Sequence, residues 1–469
     1  MNVRSMNQQE KVAYMLSEPV PHLVCQMAVP TIISMLVTSF YNMVDSFFVG
    51  KINTQATAAV GVVFSVMALI QACGFFFGHG SGNYISRKLG AGEFEDANKM
   101  AATGFFSAFL TGVFLGVLGL IFLTPLARAL GSTPTILPYT KDYLKIILFG
   151  CPFMMSSFVL NNQLRFQGSA SYAMVGIVTG AVLNIVLDPV LIFTCGMGVA
   201  GAALATVISQ AVSFFVLYGM SRKGGNIRAQ LKNFSPSFYL YREMFRGGIP
   251  SLCRQGLASV AQICLNRSAG IFSGELSDAA IAAMSIVGRI TMFANSALIG
   301  FGQGFQPVCG MNYGAKKYER VREGFGFCVK YATVFLVLVS AAGFVFANPL
   351  VTLFRREDPD VIRIGTLALR LQCIVFPLNA WIVICNMMLQ SIGKAVKASV
   401  VAAARQGIFF IPLIWILPFF FGLLGVQMCQ TWSDVCTMLI SVPMGIGVLR
   451  EMKRMEENAR SGDVSEQKG

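Results

Sequence analysis

Acidic side chains are scarce in this chain: 22 Asp and Glu among 469 residues, with charged residues of both signs making up only 12%. A soluble globular domain carries roughly twice that share. So little charge cannot cover a water-facing surface of this size. The apolar fraction of 55% and the mean hydropathy of +0.64 place the chain in the polytopic membrane class. Absent motifs narrow the function. There is no GxxxxGK[ST] loop, and the glycine-rich Gly78-His79-Gly80-Ser81-Gly82 lacks its lysine and its strand context, which argues against direct use of ATP. HExxH and GxSxG are missing too, so the chain reads as no enzyme. The 12 cysteines form no CxxC pair, leaving neither a disulfide framework nor a zinc site. The two histidines, His22 and His79, are expected at helix ends near the membrane interface. The segment before Pro30 lacks the basic, apolar and small-residue order of a removable signal peptide, so the first span is expected to be retained.

What is present is a succession of apolar stretches, each long enough for about 20 residues of helix to cross the hydrocarbon. They fall near 23-49, 57-78, 101-126, 138-160, 169-194, 198-219, 248-273, 279-302, 325-350, 364-388, 398-421 and 425-449. Most of the 36 Lys and Arg lie in the termini and even-numbered loops, so both termini are expected in the cytoplasm. The same distribution accounts for the net charge of +14 through topology and contact with anionic lipid headgroups, without nucleic acid.

Shifting the sequence by 224 residues lays Thr57-Ala58-Ala59 on Ile281-Ala282-Ala283 and Gly78-His79-Gly80 on Gly302-Gln303-Gly304. Each half also opens its first helix with a proline, Pro30 or Pro250, where a freed carbonyl makes either a fixed kink or a hinge. The expected fold is therefore all-α: twelve transmembrane helices in two pseudo-symmetric six-helix bundles around a central cleft. The boundaries are a cytoplasmic N-terminal segment (1-22), a first lobe (23-219), a cytoplasmic linker (220-247), a second lobe (248-449) and a cytoplasmic tail (450-469). Parallel repeats with an even number of spans relate the lobes by an axis along the membrane normal.

Only Asp45, Asp188 and Asp434 among the acids fall well inside spans. An ionised carboxylate in hydrocarbon is costly, so such acids mark ion or proton pathways. Asp45 and Asp188 sit at similar depth in the first lobe, and Asn184 lies four residues before Asp188 on the same helical face. Two carboxylates in one dry pocket suit a proton acceptor. A Na+ ion could replace the proton, held by oxygens of Asp45, Asn184, Asp188 and Thr206. Asp434 is expected to make a structural polar contact. The second half carries five arginines in or beside spans, Arg254, Arg267, Arg289, Arg370 and Arg405, without matching acids nearby. They suggest a positively charged cavity or snorkelling toward headgroups.

The runs Asp45-Ser46-Phe47-Phe48-Val49-Gly50, Ser86-Arg87-Lys88-Leu89-Gly90-Ala91-Gly92, Asn184 to Pro189, Gly201-Ala202-Ala203-Leu204-Ala205-Thr206 and Asn312-Tyr313-Gly314-Ala315, in this order, resemble the multidrug and toxic compound extrusion (MATE) family. The Tyr84-Ile85-Ser86-Arg87 loop looks closest to its bacterial, MepA-like branch. The resemblance implies two V-shaped bundles, alternating access, and efflux of drugs or organic cations by antiport with H+ or Na+, with no cofactor. By position, Asp45, Asn184, Asp188 and Thr206 match the family's first-lobe ion site. Tyr41, Tyr143 and Asn161 are candidates for the cavity lining. One branch of the family has acids in the seventh and tenth helices, where this chain offers Arg254, Arg267 and Arg370. Coupling is therefore expected to rest on the first lobe alone. The reading is of a monomer in the bacterial inner membrane, whose partners are small-molecule drugs and lipids. The alternative is a lipid-linked sugar or other anionic-lipid flippase of the same superfamily, and behind it a membrane-embedded enzyme or a receptor.

Overall fold

The computed structural model describes residues 6–355 and 358–466. Residues 1–5 of the expected N-terminal segment and 467–469 of the expected tail lie outside the described residues. A short helix, α1 (Gln8–Ser17), precedes the first lobe. That lobe comprises α2 (Val20–Gly50), α3 (Thr54–Gly90), α4 (Phe94–Ile121), α5 (Leu123–Ala129), α6 (Leu137–Phe166), α7 (Ala170–Pro189) and α8 (Gly198–Ser221). The second lobe comprises α9 (Phe238–Phe272), α10 (Ser277–Gly314), α11 (Tyr318–Val345), α12 (Ala347–Phe354), α13 (Pro359–Val375), α14 (Leu378–Ser391), α15 (Ala395–Ala403), α16 (Phe410–Phe421) and α17 (Leu423–Glu466).

Among the described residues, ten helical spans are long and apolar enough to cross a membrane, and the pair α13 and α14, bent by 59° at Phe376-Pro377, makes an eleventh. The twelfth is α9, whose 35 residues carry Arg254 and Arg267 and are correspondingly less apolar. Each apolar stretch of the sequence lies on one of these helices or broken pairs. The fold is all-α, with two six-helix bundles.

The bundles share local devices as well as order. Gly168 and Gly393 end the fourth and tenth spans with φ of +81° and +82°, a left-handed turn that glycine enters without a Cβ clash. Gly92 takes φ +78°, and its counterpart by the 224-residue shift is Lys316 at φ +58°. The second half thus keeps the turn while losing the glycine. The fifth and eleventh spans each contain a π turn, Val190–Thr194 after Pro189 and Ala404–Ile408 before α16. The connection between lobes is shorter than the expected 220-247, because Ser237 caps α9 by accepting from the Leu240 N–H at 3.3 Å. Arg242 and Arg246 therefore ride on a helix, where Arg246 pairs with Glu243 at 3.1 Å.

The lobes meet mainly along α2 against α10 and α3 against α9, and α3 also packs on α10. Glycines allow the approach. A methyl group at Gly300 would meet the backbone of Ile32 at 2.6 Å, one at Gly248 the Phe76 carbonyl at 2.5 Å, and one at Gly247 the Gly80 carbonyl at 3.0 Å. Both early prolines, Pro30 and Pro250, are buried in this seam. The seam lies in the half of the molecule that holds α1 and runs up to a hydrogen bond between Ser39 and Ser296 at 2.7 Å. Beyond it, Gln262 and Arg267 on α9 are exposed.

His79 departs from the expectation of an interfacial residue. It is fully buried in the seam, with Nε2 3.1 Å from the Arg165 guanidinium and Nδ1 3.2 Å from the Phe75 carbonyl. Since a guanidinium only donates, Nε2 accepts and Nδ1 carries the proton. Arg165 is 1% exposed and also donates to Asn162 Oδ1 at 2.6 Å and to Gln306 Oε1 of the other lobe at 3.4 Å. Helix α6 runs past the apolar stretch that marks its span, and this carries Arg165 into the seam.

Candidate ion-coupling site

The first-lobe site begins with close approach of α7 and α8. A methyl at Gly176 would collide with Leu217, one at Gly180 would meet Ser213 Cβ at 2.9 Å, and one at Gly201 the Leu191 carbonyl at 2.6 Å. These three glycines let the helices touch along their length. Helix α2 packs on α7, bringing Asp45 to Asp188, whose carboxyl groups lie within hydrogen-bonding reach of each other. Asp188 is the penultimate residue of α7, separated from the π turn by Pro189. Such turns widen a helix by one residue and re-aim side chains.

Asp188 is 0% exposed, Asn184 2% and Thr206 4%. Asn184 Nδ2 donates to Asp188 Oδ1 at 3.4 Å, and the Thr206 hydroxyl donates to the Ala202 carbonyl at 3.1 Å. Four buried oxygens have no hydrogen-bond partner among the described residues: Asp45 Oδ1, Asp188 Oδ2, Asn184 Oδ1 and Ser209 Oγ. Nor does either aspartate form an ion pair among the described residues. Orphaned acceptors beside two carboxyl groups in low dielectric are a strongly unfavourable arrangement unless a cation is shared between them. The donors are all oxygen, which suits a proton or a hard ion. No cluster of three or more His, Cys, Asp or Glu able to hold a metal occurs among the described residues.

The site opens on a cavity of about 50 Å³ lined by Thr38, Tyr41, Asn161, Asn184, Thr206 and Gln210, among others, room for a few water molecules. Tyr41 and Asn161 are among its lining residues. Tyr143 does not line this cavity. Its ring is fully buried; its hydroxyl donates to the Met67 sulfur at 3.7 Å and stands within reach of the Thr206 hydroxyl, beside the acid pair. Ser209, Gln210 and Ser213 were missed by sequence reasoning. With Thr206 they recur at spacings of three, four and seven on α8, a polar stripe on one face of an apolar helix, and that stripe is a legible signal.

In the second lobe, Asp434 is a structural anchor as expected, but Arg405 does have a matching acid. Arg405 Nε lies 2.9 Å from Asp434 Oδ1. The two are 29 residues apart on different helices, and the π turn at Ala404–Ile408 aims the arginine across. Arg267, Arg289 and Arg370 are exposed, and Arg370 folds back on Phe344, donating to its carbonyl at 3.3 Å.

Two stretches, residues 30–190 and 256–416, each match the MatE family. The multidrug export protein MepA of Staphylococcus haemolyticus (strain JCSC1435) is 29% identical over 420 residues, covering 89% of this chain and 91% of that protein. Its counterpart in Staphylococcus aureus (strain MSSA476) is 28% identical over the same shares. A multidrug resistance MATE family transporter of the MOP superfamily, solved in an outward-facing conformation, superposes with a TM-score of 0.87 at 27% identity, covering 94% of this chain and 98% of that one.

Proposed function

Because the chain belongs to the MATE family, we propose that it is a multidrug exporter that expels organic cations or amphipathic drugs in exchange for H+ or Na+ taken up at Asp45 and Asp188. The observation that carries this reading is the pair of adjoining carboxyl groups with no cationic side chain to neutralise them and with orphaned oxygens around them. Such a pair takes its counter-charge from solution. Asn184, Thr206 and Ser209 would complete an oxygen shell if the ion is Na+; for H+, the shared proton bridges the two carboxyl groups.

Helix α2 links the ion to the gate, because it carries Asp45 near one end and the seam residues Ala28 to Ser39 toward the other. Loading the pair changes how α2 lies on α7, and that displacement reaches the contact with α10. An ion can shift the two states only through different affinity for each. With both termini cytoplasmic, the seam faces the cytoplasm and the end beyond the Ser39–Ser296 contact faces out, so this form receives the ion and releases the drug. Pro30 and Pro250, buried in the seam, are the hinge positions.

Everted vesicles given an H+ or Na+ gradient should accumulate a cationic dye, and Asp188→Asn should abolish the accumulation while leaving membrane insertion intact. Undiminished gradient-driven transport by that variant would reject the coupling assignment. Translocation of a lipid-linked sugar without any dye transport would favour the flippase alternative.

A further inference from the structure

The second lobe contains two adjoining cavities of about 210 Å³ each, which share Ala258, Asn295, Arg405 and Gln406 in their walls. Their remaining polar lining is mostly amide: Gln255 and Asn386 in one, Gln262, Gln372 and Gln430 in the other. Two guanidinium groups face this space, Arg254 and Arg405, against a single carboxylate, Asp434. The wall therefore carries one excess positive charge.

Asp434 is held by three donors of its own lobe. Its Oδ1 accepts from Arg405 Nε at 2.9 Å and from Gln430 Nε2 at 2.8 Å, and its Oδ2 accepts from Asn379 Nδ2 at 3.0 Å. With Asp434 3% exposed at its side chain, this is a fixed support. Arg405 uses only its Nε in that bond and backs it with its own carbonyl, which accepts from Ser433 at 2.6 Å. The Nη edge of Arg405 has no partner among the described residues. Arg254 makes no hydrogen bond or ion pair among the described residues. A guanidinium donates and never accepts, and its planar fork matches an oxyanion in two parallel bonds.

We infer that this second-lobe cavity is a binding site for the carboxylate of an anionic or zwitterionic amphipathic substrate, held by Arg254 and the free edge of Arg405. The inference rests on the exporter reading and adds the substrate class. The two lobes then present opposite polarities: an oxygen-lined acid pair in the first and donor-lined arginines in the second. A zwitterionic drug meets the arginines with its carboxylate, while ion exchange stays on Asp45 and Asp188. The amide side chains around the arginines supply further donors, and volumes of this size accept a ring-sized group.

The test compares rhodamine B, which carries a free carboxylate, with its ethyl ester, which does not, binding to the full chain in nanodiscs without an ion gradient. Wild type should bind rhodamine B more tightly than the ester. Arg254→Gln, which orphans no other group, should weaken rhodamine B about tenfold, the loss expected for one charge-assisted hydrogen-bonded contact, and should leave the ester within about twofold. Because Arg405→Gln alone frees Asp434, the double variant Arg405→Gln with Asp434→Asn keeps the support neutral and should behave like Arg254→Gln. Equal weakening of both dyes, or of neither, overturns the site. Binding of the ester but not of rhodamine B by wild type overturns it while sparing the exporter reading; failure to bind either dye counts against both. Binding of short-chain phosphatidic acid in place of rhodamine B would assign the arginines to a lipid headgroup and overturn the drug carboxylate.

Discussion

Gly304 lies directly against the backbone of Ala28, so that a methyl group on it would overlap Ala28. Ala28 is two residues before Pro30, and the contact joins the opening turns of one lobe to the helix α10 of the other. The 224-residue repeat reproduces it: Gly80, the counterpart of Gly304, packs against Gly247 and Met244 near Pro250. Each lobe's proline-bearing helix thus rests on the matching glycine of its partner lobe.

A bulky side chain at Gly304 should force this seam apart. Gly304→Leu is expected to cost about 1–3 kcal/mol of seam packing, the range for overfilling a close-packed contact. Cys309, fully buried one turn further along α10, should then react with a permeant maleimide, read on its own peptide by mass spectrometry. Protection equal to wild type would mean that the seam tolerates the extra volume.

The identity of the coupling ion can be read without transport. If Na+ is bound, raising its concentration to about a hundred times its dissociation constant should stabilise the folded protein by about 2.7 kcal/mol. Asp188→Asn and Ser209→Ala should blunt the shift. A melting curve that responds to pH but not to Na+ at constant ionic strength assigns the site to H+.

Asp434→Asn should be more harmful than its small change in size suggests. It removes the carboxylate that Arg405 Nε and Gln430 both contact and leaves a partly buried guanidinium without its counter-charge, an effect of about 3–5 kcal/mol for a buried pair. Adding Arg405→Gln should recover most of the lost thermal stability. Absence of recovery would show that Asp434 acts through Asn379 instead.

Outside the membrane, Lys11 on α1 is 3% exposed and bonds to Ser169 Oγ at 2.8 Å and Asn226 Oδ1 at 2.7 Å, two neutral acceptors. Burial pushes its ammonium down from 10.5 to about 8. Between those values the undocked segment binds more protons than the docked one, so docking of α1 strengthens as pH rises from about 8 toward 10.5 and is flat below. Hydrogen exchange across residues 8–17, corrected for the intrinsic rate, should follow this course, and Lys11→Met should remove the dependence.

How much of this was legible differs residue by residue. Asp45 and Asp188 stood out because a carboxylate in an apolar run has few explanations. The span positions followed from the length of apolar runs, and the halves from the 224-residue repeat. Ser209 was overlooked, since depth along a helix is read from sequence more easily than rotation about its axis. The Arg405–Asp434 pair and the burial of His79 with Arg165 span 29 and 86 residues and cross between helices, where no local pattern connects them.

Hydropathy and the scarcity of charge thus determined the helices, their number and the two acids, because the transfer of each group into hydrocarbon depends on its own chemistry. Which side chains face one another was decided only by the tertiary structure. Small residues such as Gly180, Gly248 and Gly304 set how closely helices approach, and the π turns at Val190–Thr194 and Ala404–Ile408 set which way Asp188 and Arg405 turn. Those are properties of helices in pairs, and they give one lobe a buried Asp188 beside a half-buried Asp45 and the other a cavity edged with arginine.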